Sequence, residues 1–205
     1  MKIRFWYFIS LAVLVGVAGC KREVPDTVTY DDTPYSFYTG NFTSPDLPED
    51  NKLTEQAVLL GRMLFYEKRL SKDNSQNCAS CHRQEHAFSD TATFSIGVEG
   101  LPGKRQAMGV FNTAWHTNGF FWDGRAELLR HQALLPIQDP LEMDEELPNV
   151  EAKLEADKTY RDQFVRAFGS EEITAENISL ALEQFMLSVV SVDSKYDRYL
   201  EGEAV

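Results

Sequence analysis

Residues 78–82, Cys78-Ala79-Ser80-Cys81-His82, decide how the rest of the chain is read. Two thiols with a two-residue spacer can clip a metal or form a redox disulfide, but a histidine directly after the second thiol is the spacing of covalent c-type haem attachment. Both sulfurs must reach the two vinyl groups of one porphyrin, and the next residue must present its imidazole to the iron. A zinc site needs two further ligands, and the one other cysteine in the 205 residues, Cys20, has its own explanation. A thioredoxin-like motif needs a strand–helix setting that the flanking sequence does not offer. Cys78 and Cys81 are therefore expected to hold one haem c, with His82 on its iron.

Cys20 closes a stretch that reads as an export signal. Lys2 and Arg4 form a positive end, and residues 5–18 are apolar apart from Ser10 and Gly16, a run too short to span a membrane comfortably. It ends Val17-Ala18-Gly19-Cys20, which resembles a bacterial lipoprotein signal, where the cysteine is lipidated and becomes the new N-terminus. An ordinary cleaved signal with a spare cysteine, and an anchor helix that is never cut, are the competing readings; all three export the chain. The expectation is removal of residues 1–19, lipid on Cys20, a periplasmic location and no membrane contact beyond the lipid. Residues 20–51 carry Pro25, Pro34, Pro45 and Pro48 without helical or strand period and read as a tether. Tyr30, Tyr35, Phe37, Tyr38 and Phe42 suggest that its later part docks on the domain.

The remainder, residues 52–205, reads as one haem domain. With 43% hydrophobic residues the chain can bury a real core, and with 32 acidic against 20 basic side chains its net charge is −12. The absence of a basic stripe removes the electrostatic term on which nucleic-acid binding depends, so DNA and RNA are poor candidates as partners. An acidic surface favours encounter with basic proteins, although keeping the chain soluble is the commoner use.

Helical patterning begins after Thr54, an expected N-cap, with Ala57, Leu60 and Leu64 spaced by three and four and Gly61 open to a close neighbour. A long irregular region follows, containing the haem motif and the Gly-rich residues 97–103; loops of that length are usually functional or wrapped around something. Asp123 is a candidate cap for a helix over residues 125–135, stopped by Pro136 and Pro140. Two amphipathic helices are expected near 149–157 and 160–168, ending at Gly169, and another after Thr174 with Ile178, Ala181, Leu182, Phe185 and Val189 on one stripe. The class is all-α: a cytochrome c-like haem domain with additional helices and long haem-wrapping loops.

What such a haem does depends on the group facing the iron opposite His82. Two protein ligands make an electron carrier, whereas an open sixth position binds a small oxidant. His86 lies four residues after His82, on the same side if the helix continues, and reads as a surface or supporting residue. His131 reads as solvated and His116 as a hydrogen-bonded loop histidine with some claim to ligation. Met63 and Met186 fit helical core stripes, which leaves Met108 and Met143 as thioether candidates. Both functions stay open on these residues alone.

The run Leu60-Gly61-Arg62-Met63-Leu64-Phe65-Tyr66 is followed in order by Arg69-Leu70-Ser71, the haem motif and Ala87-Phe88-Ser89-Asp90. Then come Phe121-Trp122-Asp123-Gly124-Arg125-Ala126, Gln132-Ala133, Pro136-Ile137, Leu141-Glu142-Met143 and Asp197-Arg198-Tyr199-Leu200. Together they resemble the N-terminal half of bacterial di-haem cytochrome c peroxidases. The resemblance implies that Cys78, Cys81 and His82 hold the peroxidatic, low-potential haem. It implies that Gln132 and Glu142 flank the peroxide, the carboxylate assisting proton transfer and O–O cleavage. Trp122 would lie between two haems as an electron conduit, and Arg105 near the haem propionates. The implied activity is reduction of hydrogen peroxide to water with electrons from a small cytochrome or cupredoxin.

Three departures qualify that picture. The Gly-rich loop reads Gly97-Val98-Glu99-Gly100, with no histidine where many relatives carry a removable distal ligand, so a haem already open to peroxide is expected. Gln106 replaces the usual calcium-binding asparagine, which weakens the expectation of calcium. The family's second half, with its high-potential haem, does not follow within these residues, and the expectation is a fragment or truncated reading frame rather than a domain served by a separate haem protein. The competing readings are a single-haem electron carrier with Met108 or Met143 on iron, and a di-haem relative that oxidises a protein side chain.

Overall fold

The computed structural model describes residues 27–37, 39–40 and 42–204; the expected signal peptide, Cys20 and Tyr38 lie outside the described residues. Helix α1 (Glu55–Phe65) starts at the expected cap, the Thr54 hydroxyl accepting from the Ala57 N–H at 3.3 Å, with Glu55 against the positive helix end. Its inner face buries Ala57, Leu60, Gly61 and Leu64. That face packs along α6 (Ala175–Ser188), capped in the same way by Thr174, whose hydroxyl accepts from Asn177 at 3.2 Å. Only glycine allows the crossing, because a Cβ on Gly61 would lie 1.9 Å from the Ala181 carbonyl oxygen. On α6 the expected stripe Ile178, Ala181, Leu182 and Phe185 is buried, and Val189 stands just past the helix as its C-cap.

The other elements lie around this pair. Helix α2 (Cys78–Cys81) is a single turn carrying the haem motif. Helix α4 (Leu147–Glu155) has Pro148 in its first turn, where the missing N–H costs nothing. Helix α5 (Lys158–Phe168) is capped by Asp157 and closed by Gly169 at φ 75°. It packs on α1. Helix α7 (Lys195–Leu200) opens with Ser194 and Asp197 reciprocally capping each other. Between α2 and α3 the described chain has only two short 3-10 turns, Gln84–His86 and Thr113–Trp115. The only β pairing among the described residues is isolated bridges such as Arg83 with Ser89 and Phe120 with Ala126. The fold is all-α.

Helix α3 (Leu129–Gln138) differs from its expected span. Asp123 does not cap it; Gly124 at φ 66° and the Phe120–Ala126 bridge make residues 120–126 a tight turn first. Nor does Pro136 end the helix. It sits inside the last turn, where it lacks the N–H that would have reached the Gln132 carbonyl. Packing of Leu129, Ala133 and Ile137 on α6 carries the helix through the proline.

The N-terminal segment lies against the domain along much of its described length. Asp31 N–H donates to the Arg166 carbonyl at 3.0 Å, Tyr35 N–H to Leu53 at 3.0 Å, and the Trp115 indole to the Thr43 carbonyl at 2.7 Å. Phe37 and Phe42 both contact the Trp115 ring. At its end buried Asn51 donates to the Glu183 carboxylate at 2.7 Å and accepts from Gln184 at 2.7 Å. Arg130 of α3 bridges Glu183 and Asp50. Because Glu183 is 1% exposed, this shared ion pair ties α3, α6 and residues 50–51 into one unit that tolerates loss of neither partner.

Replacing Gly61 with alanine forces α1 and α6 apart and is expected to cost about 1–3 kcal/mol or more, measured as a lower midpoint in denaturant unfolding at unchanged helix content.

Candidate active site

The one-turn helix α2 is pinned at its start. The Asn77 N–H donates to Ser80 Oγ and the Ser80 hydroxyl to Asn77 Oδ1, both at 3.1 Å, while the Asn77 amide donates to the Tyr66 carbonyl at 2.7 Å. After His82 the chain doubles back through Ala87 and Phe88, at φ 57° and 52°, so that Arg83 N–H reaches the Ser89 carbonyl. His82 Nδ1 then lies 3.0 Å from the Phe88 carbonyl and 2.8 Å from that of Met108. Two carbonyls can only accept, so Nδ1 carries the proton and Nε2 keeps its lone pair. Burial pushes the His82 pKa down, holding the neutral form that a metal requires.

Asp90 anchors the loop that brings those carbonyls in. Its carboxylate pairs with Arg83, accepts from the Ser95 hydroxyl at 2.7 Å and from the Ala92 N–H at 3.1 Å. Its main-chain carbonyl accepts from the Gln106 amide at 2.9 Å, and the Ser89 hydroxyl donates to the Ala107 carbonyl at 2.7 Å. The Ser95 hydrogen bond, helped by Ala92 and Arg83, lowers the Asp90 pKa to about 2.

Beside His82 opens a cavity of about 410 Å³, within the range of cofactor sites. Its wall carries Cys81 and His82, then Lys104, Arg105 and Met108 from the loop, Trp122 and Arg125 from the turn before α3, Gln132 and Pro136 from α3, and Glu142. Cys78 lies just off this wall, half-buried against the core. Burial pushes its thiol up to about 12 and raises that of Cys81 as well. Both are free thiols. These residues fit a c-type haem: an oriented imidazole with a free Nε2, two thiols one helical turn apart, apolar walls, and three cations in an acidic chain suited to the carboxylates of a porphyrin.

The remaining expected site residues meet on the same cavity. Glu142 faces its open space. Enclosure by the surrounding protein raises its carboxyl pKa, Asp139 adds to the rise, and Arg125 and Lys104 oppose it. Its segment is held tightly. The Val98 N–H donates to the Glu142 carbonyl at 2.8 Å, and a Cβ on Gly97 would lie 2.2 Å from the Leu141 carbonyl oxygen. Gln132 is half-buried on α3. Trp122 is 60% exposed at the cavity edge, its indole donating to the Gln106 carbonyl at 2.9 Å. Arg105 pairs with Asp123 at 2.9 Å, and the Arg125 guanidinium stacks 3.6 Å from the Phe121 ring centre. Gln106 spends its amide on Asp90, and among the described residues no cluster of three or more His, Cys, Asp or Glu gathers to hold a further metal.

Two thioether candidates change standing. Met143, expected as a possible iron ligand, is buried in the hydrophobic core, because the chain turns at Asp144 (φ 46°) and directs it away from the cavity wall. Met108 reaches the wall, but its main chain stands behind the His82 ring through the carbonyl contact. Met186, read as a core residue of α6, is buried and also borders the cavity. His116 borders it too, stacked on Phe120, whereas His86 and His131 are exposed elsewhere. Lys104, Pro136 and the close packing of Gly97 were not assigned from sequence. The one available signal was Lys104-Arg105 with Arg125 in a chain of net charge −12.

Comparison with known proteins gives a consistent result. The family model for di-haem cytochrome c peroxidase matches residues 55–205. The methylamine utilization protein MauG of Methylorubrum extorquens is 34% identical over 97% of this chain and 57% of its own length. Cytochrome c551 peroxidase of Nitrosomonas europaea is 38% identical over 76% of this chain and 45% of its own. The crystal structure of a MauG-like protein associated with microbial copper homeostasis superposes with a TM-score of 0.74 at 39% identity, covering 80% of this chain and 49% of that one. The chain thus spans about half the length of the curated relatives it matches.

Because the Asp90 carboxyl is depressed to about 2 in the folded state against about 3.9 in an unfolded chain, its contribution is fully present above the unfolded value and is lost as pH falls through the folded one. Asp90→Asn is expected to cost about 1–3 kcal/mol at neutral pH and to flatten the acid limb of a stability–pH curve recorded by thermal unfolding.

Proposed function

The chain belongs to the di-haem cytochrome c peroxidase family, and we propose that it forms the peroxide-reacting half of a peroxidase, reducing hydrogen peroxide to water with electrons from a small redox protein, a cytochrome c or cupredoxin, relayed by a second haem domain or protein. The observation that carries this reading is one cavity bordered both by His82, with its Nε2 left free, and by Glu142, a carboxyl whose pKa is raised.

Cys78 and Cys81 would hold one haem c through thioethers and His82 would ligate its iron; Arg105, with Lys104 and Arg125 beside it, would face the propionates. When bound, the haem supplies the one-electron and oxygen chemistry that side chains lack. The chain's own part is proton handling and positioning. Glu142, with its pKa raised by enclosure, accepts a proton from one peroxide oxygen and returns it to the other as the O–O bond breaks, acid and base in turn. Gln132, with one amide donor and one acceptor end, orients the peroxide. Trp122, exposed on its outer side and fixed by its bond to Gln106, is suited to electron entry.

We further propose that the chain is exported to the periplasm and anchored by lipid on Cys20, on the strength of the residues 1–20 pattern. Labelled palmitate is expected in the wild-type chain and absent from Cys20→Ala, which should move from the membrane to the soluble fraction.

Glu142→Gln is expected to keep covalent haem, seen by haem staining, while lowering the rate of peroxide reaction about 10²–10⁴-fold. The base must be ionised, so wild-type activity falls as pH drops through the raised carboxyl pKa, and the variant should lose that limb. Resting ferric protein should show high-spin paramagnetic resonance. A low-spin signal with an iron–sulfur charge-transfer band would instead make the chain an electron carrier.

A further inference from the structure

Helix α1 has a second stripe that its core packing does not use. Glu55, Leu59, Arg62 and Tyr66 recur at spacings of four, three and four, on the face away from Ala57, Leu60 and Leu64. Leu59 is 45% and Tyr66 40% exposed. This stripe forms one side of a separate groove of about 460 Å³, whose other walls include Tyr35, Phe88 and Phe185.

The groove communicates with the back of His82. Phe88, on its wall, supplies a carbonyl that His82 Nδ1 contacts at 3.0 Å. Behind the wall lies the Phe65 ring, with centroids 5.5 Å from Tyr66, 6.1 Å from Phe88, 5.2 Å from Phe185 and 6.4 Å from His82. These separations are those of rings in van der Waals contact. An arene lying against Tyr66 and Phe88 is therefore two rings away from the imidazole, Tyr66 or Phe88 and then Phe65, on the side where His82 meets the Phe88 carbonyl rather than by way of Trp122.

Resting on the peroxidase reading above, we propose that this groove binds a small neutral phenol that delivers electrons directly toward His82. Three features select that class. The volume is that of a small-molecule site and not of a protein epitope. The walls mix aromatic and aliphatic side chains with polar ones, Arg62 to donate to and Glu55 to accept from a hydroxyl among them. The chain's net charge of −12 and Glu55 itself work against anionic reductants. Each phenol gives up one electron and its hydroxyl proton. Two phenols thus convert one hydrogen peroxide into two waters: the O–O bond breaks, two new O–H bonds form with those protons, and two phenoxyl radicals leave. No second haem enters this balance.

The test uses the holo chain with 4-methoxyphenol as probe. Calorimetric titration of the resting protein, without peroxide, should show saturable binding, and peroxide addition should consume two phenols per peroxide. Leu59→Glu, a surface change outside the catalytic cavity, replaces an apolar wall with a carboxylate that can occupy Arg62 and should weaken binding and slow phenol oxidation by at least about tenfold. Leu59→Met should restore both. Absence of saturable binding, or oxidation unaffected by Leu59→Glu but abolished by Glu142→Gln, overturns the groove while leaving the peroxidase reading intact. Saturable binding with no peroxide consumed from any donor overturns the peroxidase reading instead, and with it the electron delivery proposed for the groove. Loss of a cytochrome donor's rate in Leu59→Glu, with phenol neither bound nor oxidised, would assign the groove to a protein partner and overturn the phenol.

Discussion

The contact between His82 Nδ1 and the main-chain carbonyls of Phe88 and Met108 is the constraint to which the rest of the site is fitted. A histidine can offer only one nitrogen to a metal, and the proton on the other must be satisfied once the ring is buried. Meeting that need requires the two left-handed residues Ala87 and Phe88, and it requires a return strand of loop that passes behind the ring at Met108. Asp90 makes the return stable by gathering Arg83, Ser95 and Ala92 around its carboxylate and Gln106 on its main-chain carbonyl. The long irregular region is thus a scaffold in which most polar groups find partners in one another, Arg83 Nε excepted.

The opposite requirement holds for Glu142. Its carboxyl faces the open cavity with its pKa raised. The fold fixes its backbone instead of its side chain. Gly97 allows the loop to lie directly on the Leu141 carbonyl, Val98 bonds to the Glu142 carbonyl, and Lys72 donates its N–H to Met143 while its ammonium bridges Glu99 and Asp144. Burying Met143 beneath gives the segment an apolar root. A fixed backbone thus presents an exposed carboxyl to the cavity.

Between these two stands the crossing of α1 on α6, which depends on Gly61. It sets Phe65 and Phe185 in ring contact and so lines the back of His82 with aromatic side chains. Packing that serves stability there also sets the surroundings of that imidazole, a double use that neither helix reveals alone.

The sequence by itself determined whatever depends on neighbours in the chain: the Cys78–His82 motif, the helix starts at Thr54 and Thr174, the stop at Gly169 and the apolar stripes of α1 and α6. Each is a local hydrogen-bonding or periodicity effect, decided within a turn or two. The tertiary structure alone decided that α3 begins after the Gly124 turn and runs through Pro136, because packing of Leu129, Ala133 and Ile137 on α6 outweighs a missing N–H. It also decided that Met143 is core while Met186 borders the cavity. Residues that far apart in sequence share a site only through long-range packing, and a thioether carries no local mark of whether the space it fills will be protein or cofactor.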